Sequence, residues 1–228
     1  MSKKKRKRAQ PPEPPIARFM RRNEKWVRRF AITAGLVGVL VAVWFLADPF
    51  GGGLTAIDEN GVEVRAGVID GRAGAQARTN KPAPNFLLPD YDKKAVRLDQ
   101  FEGKVVFVNF WASWCEFCEE EMPDIVRIAK RFPDDVVVLL LNRGESKGTA
   151  ESWTTKYNLP QDLPNVLWLL DGRESVTREY RVSGMPQSFI VDANGIVRRE
   201  IRRVSEYDEM LFSVESALVA SGLSTTAN

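Results

Sequence analysis

Apolar residues in the second half of the chain follow two alternating patterns. One is a continuous run of seven or eight mostly apolar and β-branched residues, which is typical of a strand buried on both faces of a sheet. The other places an apolar residue every three or four positions, which is typical of a helix with one buried face. The predicted strands are KVVFVNFW (104–111), DVVVLLLN (135–142) and NVLWLLD (165–171), the predicted helices are 116–132, 149–158 and 173–181, and SFIVDANGIVRREIRR (188–203) is a predicted hairpin.

The order of these elements predicts an α/β domain. The predicted buried face of the first helix consists of Met122, Ile125, Ala129 and Phe132. Asn194-Gly195 predicts the turn of the hairpin. Ser205, with Asp208 at the capping-box position, predicts a capped helix over the final apolar stretch. Strands that alternate with helices and end in a hairpin and a helix favour a central mixed sheet covered on both faces.

A third apolar pattern lies near the amino end, where FAITAGLVGVLVAVWFLA (30–47) has Thr33 as its single conventional polar side chain. As a helix this run spans roughly 27 Å, close to the hydrocarbon thickness of a bilayer. It has no polar face, which argues against a buried core helix. A cleaved signal peptide is the other alternative, but the basic leader is long and Phe45 stands where an A-x-A site needs a small residue. We therefore predict an uncleaved transmembrane anchor.

Charge is divided unevenly on the two sides of this run. Residues 1–29 carry twelve Lys and Arg against Glu13 and Glu24, a net charge of +10, and the remaining residues sum to −7 because the whole chain is +3. Residues 48–67, just after the run, hold Arg65 as their only Lys or Arg, so the positive-inside rule predicts a cytoplasmic tail and an extracytoplasmic remainder of a single-pass protein. The charged and proline-rich composition of the tail predicts that it is disordered. The basic character of the whole chain therefore comes from the tail and is no evidence for a nucleic-acid surface on the folded part, and we predict no nucleic-acid partner. The predicted segments beyond the anchor are an extracytoplasmic linker at 48–80 with at most one short strand pair, a folded domain at 81–222 and a flexible tail at 223–228.

The chain contains no histidine, which excludes several kinds of site. Ser-His-Asp and Cys-His catalysis, CxxCH haem attachment and His-ligated metals each lack a required residue. With two cysteines and no histidine, a zinc site would need two carboxylate ligands as well. We therefore predict neither a metal nor another cofactor.

The only cysteines are Cys115 and Cys118, in FWASWCEFCEEEM. They lie between a predicted buried strand and a predicted helix, whose amino end favours a thiolate. This predicts Cys115 as the nucleophile and Cys118 as the residue that attacks the resulting mixed disulfide. A purely stabilising disulfide is an alternative, but it would close a very short loop and remove little entropy from the unfolded chain. The other alternative is that the two cysteines are inert buried thiols.

The surrounding segments carry a resemblance to a known family. In order along the chain these are APNFLLPD, LDQFEGKVVFVNFWASWC, GESKGTAESWTTKYN and LLDGRESVTREYRVSGMPQSFIVDANGIV. Over about residues 81–220 the chain resembles membrane-anchored thiol-disulfide oxidoreductases of the TlpA/ResA type, which have an AhpC/TSA or redoxin-like thioredoxin domain. The resemblance implies a thioredoxin fold with an amino-terminal hairpin and a central insert. It also implies a protein substrate with a disulfide, such as an apocytochrome c awaiting haem, and a thiol reductant embedded in the membrane.

The resemblance assigns roles to single residues beyond the two cysteines. Pro123 matches the proline that kinks the active-site helix, and Met185-Pro186 matches the loop whose proline is cis and lies against the disulfide. Glu121 matches an acid near the cysteines that could carry the proton of Cys118; a solvated helix residue is the alternative. Trp114, beside the nucleophile, is expected to border the substrate groove, whereas Trp111 is expected in the core.

Four residues depart from the patterns of related proteins. Asn109 stands where cytoplasmic thioredoxins have a buried Asp, which leaves Glu121 as the obvious acid. Phe117 replaces a proline common between the cysteines and leaves the redox potential open. Gln187 and Ser188 replace a common Thr-Thr pair, with an expected effect on hydrogen bonds in the loop.

Two other functions compete with disulfide exchange. A peroxiredoxin-like peroxidase would carry Thr or Ser three residues before its cysteine, where this chain has Ala112. A thioredoxin-fold domain could also act as a non-catalytic binding module of a membrane assembly, and such a module would not need Cys115.

Overall fold

The structure is a computed structural model that describes residues 55–69 and 76–225. The predicted anchor at 30–47 and the predicted tail at 1–29 lie outside the described residues. No helix within those two described ranges is both long enough and apolar enough to cross a membrane. The strands are β1 Thr55–Ile57, β2 Glu63–Arg65, β3 Gly67–Val68, β4 Phe86–Pro89, β5 Ala95–Arg97, β6 Val105–Trp111, β7 Val136–Arg143, β8 Val166–Asp171, β9 Gln187–Val191 and β10 Val197–Ile201, and the α-helices are α1 Glu116–Arg131, α2 Lys147–Lys156, α3 Ser175–Glu179 and α4 Tyr207–Ala220.

A five-stranded mixed sheet forms the centre of the domain, in the order β10-β9-β6-β7-β8. Strands β6, β7 and β8 are parallel, β9 is antiparallel to β6, and β10 is antiparallel to β9. Parallel neighbours need crossover connections, which α1 and α2 supply. The antiparallel pair β9–β10 is joined by a short turn in which Gly195 has φ +74°, a conformation that glycine adopts without strain. The predicted α/β class and the predicted hairpin are confirmed.

The central strand β6 is buried along its whole length because both faces of the sheet are covered. Successive side chains of a strand point to opposite faces. Phe107 and Trp111 pack on one face with residues of α1, α2 and α4. Val108 and Phe110 pack on the other face with residues of β4, β5 and α3. Asn109 shares the alternation of Phe107 and Trp111, so this polar side chain enters the α1 side of the core.

A second, three-stranded antiparallel sheet, β3-β4-β5, lies on the face of the central sheet away from α1. Its first strand, β3, precedes the predicted start of the domain at residue 81, and Gly67 pairs with Leu87. Strands β1 and β2 form a separate short hairpin within the predicted linker. The segment between β7 and α3 forms helix α2 and strand β8, and β8 is an edge strand of the central sheet. The boundary at residue 81 stays a prediction, but a fragment that keeps this small sheet must include β3.

Side-chain bonds to the backbone determine where the middle helices begin. Helix α2 begins two residues earlier than predicted because Ser146 precedes it and its Oγ accepts a hydrogen bond from the Thr149 N–H at 3.3 Å. Helix α3 is shorter than predicted. The Asp171 carboxylate accepts hydrogen bonds from the N–H groups of Ser175 and Thr177, at 2.9 and 2.7 Å, and so determines where the helix begins.

The predicted cap of the last helix is wrong. Glu206, and not Ser205, occupies the position before α4, and no side chain caps that end of the helix. The Ser205 hydroxyl donates instead to Glu209 Oε2 at 2.9 Å, and the Ser205 N–H donates to Glu121 Oε2 at 3.3 Å. Ser205 is therefore tied to α1 through its backbone, a contact that local sequence signals do not encode.

Candidate active site

The two cysteines form a disulfide at the start of α1. The sulfurs are 2.10 Å apart and the Cα atoms 5.3 Å apart. Cys115 is the residue before the helix, and Cys118 lies in its first turn on the buried side. The predicted placement of both cysteines, after a buried strand and at a helix amino terminus, is confirmed.

The helix begins at Cys115 because the chain reverses directly after β6. The Cys115 N–H donates to the Ala112 carbonyl at 3.1 Å, and the Cys115 backbone is extended where the helix begins. Its Sγ accepts a hydrogen bond from the Cys118 N–H at 3.2 Å, so the sulfur occupies the capping position of a 16-residue helix. A helix amino terminus carries a partial positive charge, which stabilises a thiolate at that sulfur.

The two cysteines differ in exposure, and aromatic residues surround the more exposed one. Cys115 is 6% exposed and Cys118 is fully buried. Trp114 and Phe117 are 66% and 57% exposed, although large aromatic side chains are usually buried. A protein that approaches this disulfide therefore reaches Cys115 first and meets exposed aromatic surface beside it.

Glu121 lies one helical turn beyond Cys118 and is 2% exposed. Its Oε1 accepts a hydrogen bond from Asn109 Nδ2 at 2.7 Å, and its Oε2 accepts one from the Ser205 N–H at 3.3 Å. Burial raises the pKa of Glu121 from 4.5 to about 7, while the hydrogen bonds from Ser205 and Asn109 act in the opposite direction. The alternative of a solvated helix residue is therefore wrong for Glu121, and this acid can both hold and release a proton near neutral pH.

The loop before β9 contains a cis peptide bond between Met185 and Pro186, as the resemblance implies. Pro186 is buried, and Met185 packs against the core cluster that contains both cysteines. Gln187 stabilises this loop. Its Oε1 accepts a hydrogen bond from the Ser183 N–H at 3.1 Å, and its Nε2 donates to Glu200 Oε1 at 2.8 Å. The expected role of Gln187 in loop hydrogen bonding is confirmed.

One residue of the site was missed by the sequence interpretation. Glu145, after β7, accepts hydrogen bonds from the backbone N–H of Ser113 at 2.8 Å, from the Ser113 hydroxyl, and from Asn142 Nδ2 at 2.7 Å. It therefore anchors the segment between β6 and Cys115. The signal was an acid directly after a buried strand that is parallel to β6, because the carboxyl ends of parallel neighbours lie at the same edge of a sheet.

Trp111 is fully buried in the core cluster that contains both cysteines, as expected. Its ring centroid lies 4.7 Å from that of Trp153 and 5.6 Å from that of Trp168.

Pro123 lies inside α1, which continues on both sides of it. Among the described residues, no group of three or more cysteines and carboxylates is arranged to hold a metal ion.

The site combines three properties that disulfide exchange requires. Cys115 lies at a helix amino terminus and is the less buried of the two cysteines, Cys118 is fully buried one turn away, and a buried acid with a pKa near neutrality follows on the same helix. Thiol–disulfide exchange needs an attacking thiolate, a second thiol that attacks the mixed disulfide, and an acceptor for its proton.

Comparison with known proteins gives the same chemistry. The family model described as "AhpC/TSA family" matches residues 79–200. The thiol-disulfide oxidoreductase ResA of Geobacillus thermodenitrificans is 31% identical over 135 residues, which cover 59% of this chain and 75% of the relative. ResA of Bacillus subtilis is 35% identical over 116 residues, 50% of this chain and 62% of that protein.

Solved structures agree on the fold. A thiol:disulfide interchange protein of the thioredoxin family from Chlorobium tepidum superposes with a TM-score of 0.54 at 25% identity, over 62% of this chain and 98% of that one. A secreted disulfide oxidoreductase from Mycobacterium tuberculosis superposes with a TM-score of 0.51 at 23% identity, over 57% and 95% of the two chains. The thioredoxin fold implied by the sequence resemblance is confirmed.

Proposed function

The chain belongs to the AhpC/TSA family, and we propose that it is an extracytoplasmic, single-pass membrane enzyme that reduces disulfides in protein substrates. It is a thiol-disulfide oxidoreductase with a CxxC pair, like the ResA proteins it matches. The observation that carries the proposal is the Cys115–Cys118 disulfide at the start of α1, with the buried acid Glu121 on the next turn.

In the first half of the reaction, the Cys115 thiolate attacks one sulfur of the substrate disulfide. A mixed disulfide forms between Cys115 and the substrate, and the other substrate sulfur leaves as a thiolate. Two observations support Cys115 for this step: it lies at the helix amino terminus, and it is 6% exposed whereas Cys118 is fully buried.

In the second half, Cys118 releases the substrate. Its thiol transfers a proton to the Glu121 carboxylate, and the resulting thiolate attacks the Cys115 sulfur. The Cys115–Cys118 disulfide forms, and the second substrate sulfur leaves as a thiolate. Two electrons have then passed from the cysteine pair to the substrate. A carboxyl with a pKa of about 7 suits this transfer because an appreciable fraction is ionised at neutral pH.

Trp114, Met185 and Pro186 form the proposed substrate-binding surface. Trp114 is an exposed aromatic residue next to Cys115, and Met185 packs against the core cluster that holds both sulfurs. An extended substrate segment can pair with the backbone at Met185, where the next residue is a proline without an N–H.

The location and the partners belong to the same proposal. Residues 30–47 would anchor the protein, with 1–29 in the cytoplasm and the folded domain outside the membrane. An apocytochrome c, whose CxxCH motif must be reduced before haem attachment, is the proposed substrate. A membrane-embedded thiol reductant would return two electrons to the cysteine pair.

Trapping the mixed disulfide tests the proposal. In the Cys118→Ser variant of the full-length chain, Cys115 should capture an oxidised apocytochrome c as a covalent complex that dithiothreitol releases. The matched control, Cys115→Ser, should capture none, because its remaining sulfur is buried. Equal capture by both variants would contradict the assigned roles, and a reduced wild-type protein that leaves the apocytochrome disulfide intact would contradict the function.

The same preparations decide between the alternatives. A peroxidase would consume hydrogen peroxide at a rate that depends on Cys115, and Ala112 stands where that class has a hydroxyl. A non-catalytic module would keep its function in the Cys115→Ser variant. The disulfide in the structure does not support either alternative over disulfide exchange.

A further inference from the structure

The side chain of Asn109 has an unused hydrogen-bond acceptor directly beside Glu121. Its Nδ2 donates twice, to Glu121 Oε1 at 2.7 Å and to Ser188 Oγ at 2.9 Å. Its Oδ1 is buried and has no hydrogen-bond partner within the part of the chain that the structure describes. Buried amides usually satisfy both groups, so an unpaired oxygen next to a titrating acid calls for a physical reason.

The fold brings these three side chains together from separate elements. Asn109 lies opposite Ser188 in the antiparallel pair of β6 with β9, so their side chains are neighbours on one face of the sheet. Helix α1 brings Glu121 over that face, and the Ser205 N–H occupies its other oxygen. Both carboxyl oxygens therefore face N–H donors.

This arrangement suits only the ionised form of Glu121. A carboxylate accepts hydrogen bonds, whereas a protonated carboxyl also has an O–H that needs an acceptor. If the Asn109 amide turned by about 180°, Oδ1 would take the place of Nδ2 and could accept the hydrogen bond of this O–H. A serine hydroxyl can donate as well as accept, so Ser188 can serve either orientation.

We propose that Asn109 and Ser188 form a reversible hydrogen-bond adapter for the proton on Glu121. In the ionised state, Nδ2 donates to Glu121 and to Ser188, as observed. In the protonated state, the amide is turned by about 180° and Oδ1 accepts from the Glu121 O–H and from the Ser188 hydroxyl. Asn109 is thus a positioning residue that keeps a partner for Glu121 before and after proton transfer, and this role rests on the proposed proton acceptance by Glu121.

The orientation of the amide follows the proton for an energetic reason. The turn brings the NH₂ group to the place where Oδ1 has no partner, so the turned amide leaves donors unpaired. Only a protonated Glu121 compensates, because it supplies a new donor to Oδ1. The same pairing explains why Asn suits this position. An ionised Asp could not donate a hydrogen bond to the carboxylate, and a leucine could neither donate nor accept one.

Within the described ranges, the charged groups near Glu121 make no hydrogen bond to its carboxyl, so the role of hydrogen-bond partner falls to Asn109. Strands β6 and β9 contribute Asn109 and Ser188 around the carboxyl, both uncharged. Beyond Ser205, Glu209 pairs with Arg203 at 2.8 Å. On α1 itself the nearest acids are Glu120 and Asp124, which point less deeply into the core. None of these charged groups is hydrogen-bonded to Glu121 in the described part of the chain, and burial is the main cause of its raised pKa.

Nuclear magnetic resonance on the full-length oxidised chain in detergent tests the adapter without turnover. The Glu121 carboxyl carbon, assigned with Glu121→Gln, and the Asn109 side-chain amide, assigned with Asn109→Leu, are followed from pH 5 to pH 9. We expect both signals to change with one midpoint, and the nuclear Overhauser effect from the Asn109 NH₂ to the Glu121 methylene protons to be strong at pH 9 and weak at pH 5.

Three variants sharpen the test. Asn109→Leu should raise the midpoint of the Glu121 titration by about 1 pH unit. Both forms of Glu121 lose a hydrogen bond to Asn109, but the bond lost by the ionised form is charge-assisted and therefore stronger. Ser188→Ala should move it much less, since both forms lose one neutral bond. The control Asn165→Leu removes a buried amide that bonds the carbonyls of Ala129 and Val136, and should leave the midpoint unchanged.

Two results would overturn the adapter. One is an Asn109 amide whose signals stay constant while Glu121 titrates, which the wild-type protein alone can show even if Asn109→Leu fails to fold. The other is an unchanged Glu121 midpoint in folded Asn109→Leu. Failure of the wild-type protein to reduce a disulfide would overturn the proposed function instead, so the two failures are distinguishable.

Discussion

Replacing Glu121 with glutamine should change how the stability of the oxidised protein depends on pH. Glu121 is buried among uncharged partners, and its pKa is about 7 in the folded protein against 4.5 in the unfolded chain. Between these two values the folded state binds more protons than the unfolded state. Its contribution to stability is therefore greatest below pH 4.5 and is lost as the pH rises through 7. This sign is opposite to that of an acid held in an ion pair.

The magnitude follows from the difference between the two pKa values. One pKa unit corresponds to 1.36 kcal/mol, so the buried carboxylate lowers the free energy of unfolding by about 3 kcal/mol at pH 8 relative to pH 4. Glutamine stays neutral and has almost the same shape. The difference in stability between Glu121→Gln and the wild type should therefore shift by about 3 kcal/mol in favour of glutamine over this range.

Urea unfolding followed by tryptophan fluorescence measures this difference on a fragment that begins at residue 53 and so includes β3. The measurements are made from pH 4 to pH 8 with the disulfide intact. Other titrating acids, such as Glu209, contribute equally to both proteins and cancel in the difference. A difference curve that is flat across the range would refute the reasoning, because it would mean that Glu121 has the same pKa in the folded and unfolded chains.

Three further predictions concern single residues. In Cys118→Ser, the iodoacetamide reaction of Cys115 should have a midpoint below pH ~8.5 because the helix amino terminus stabilises its thiolate; a midpoint at or above that value contradicts this. Glu145→Ala removes the anchors of Ser113 and should lower the free energy of unfolding by about 1–3 kcal/mol in urea; an unchanged value would show that the anchor is not needed. Met122→Ala empties a fully buried position and should cost about 2–5 kcal/mol in the same assay, and a cost below about 1 kcal/mol would contradict close packing there.

The elements of the fold were predictable because their signals are local and repeated. A strand buried on both faces, such as β6, reads as an unbroken apolar run, and α1 repeats its apolar residues at helical spacing. The errors lie at element ends, where one side chain decides the outcome. Asp171 shortens α3 by capturing two N–H groups, and the backbone N–H of Ser205 bonds to α1 while its hydroxyl bonds to Glu209 rather than capping α4.

The disulfide pair was also within reach of the sequence. Cys115 directly precedes α1 and Cys118 lies in its first turn, so the spacing of three residues and the strand before them were enough to predict that the two sulfurs lie close together at a helix amino terminus. Short-range relations of this kind depend on the helical repeat and need no knowledge of the rest of the chain.

The environment of Glu121 was decided by the tertiary structure alone. Its partners Asn109 and Ser205 are 12 and 84 residues away, and Asn109 reaches Ser188 across 79 residues. The anchor between Glu145 and Ser113 likewise spans 32 residues. The sequence determined the thiol pair, through residue type and spacing, and the resemblance to related proteins pointed to the acid beside it. Whether that acid is solvated or buried depends on which distant strands and loops close over it, and burial is what moves its pKa to neutrality.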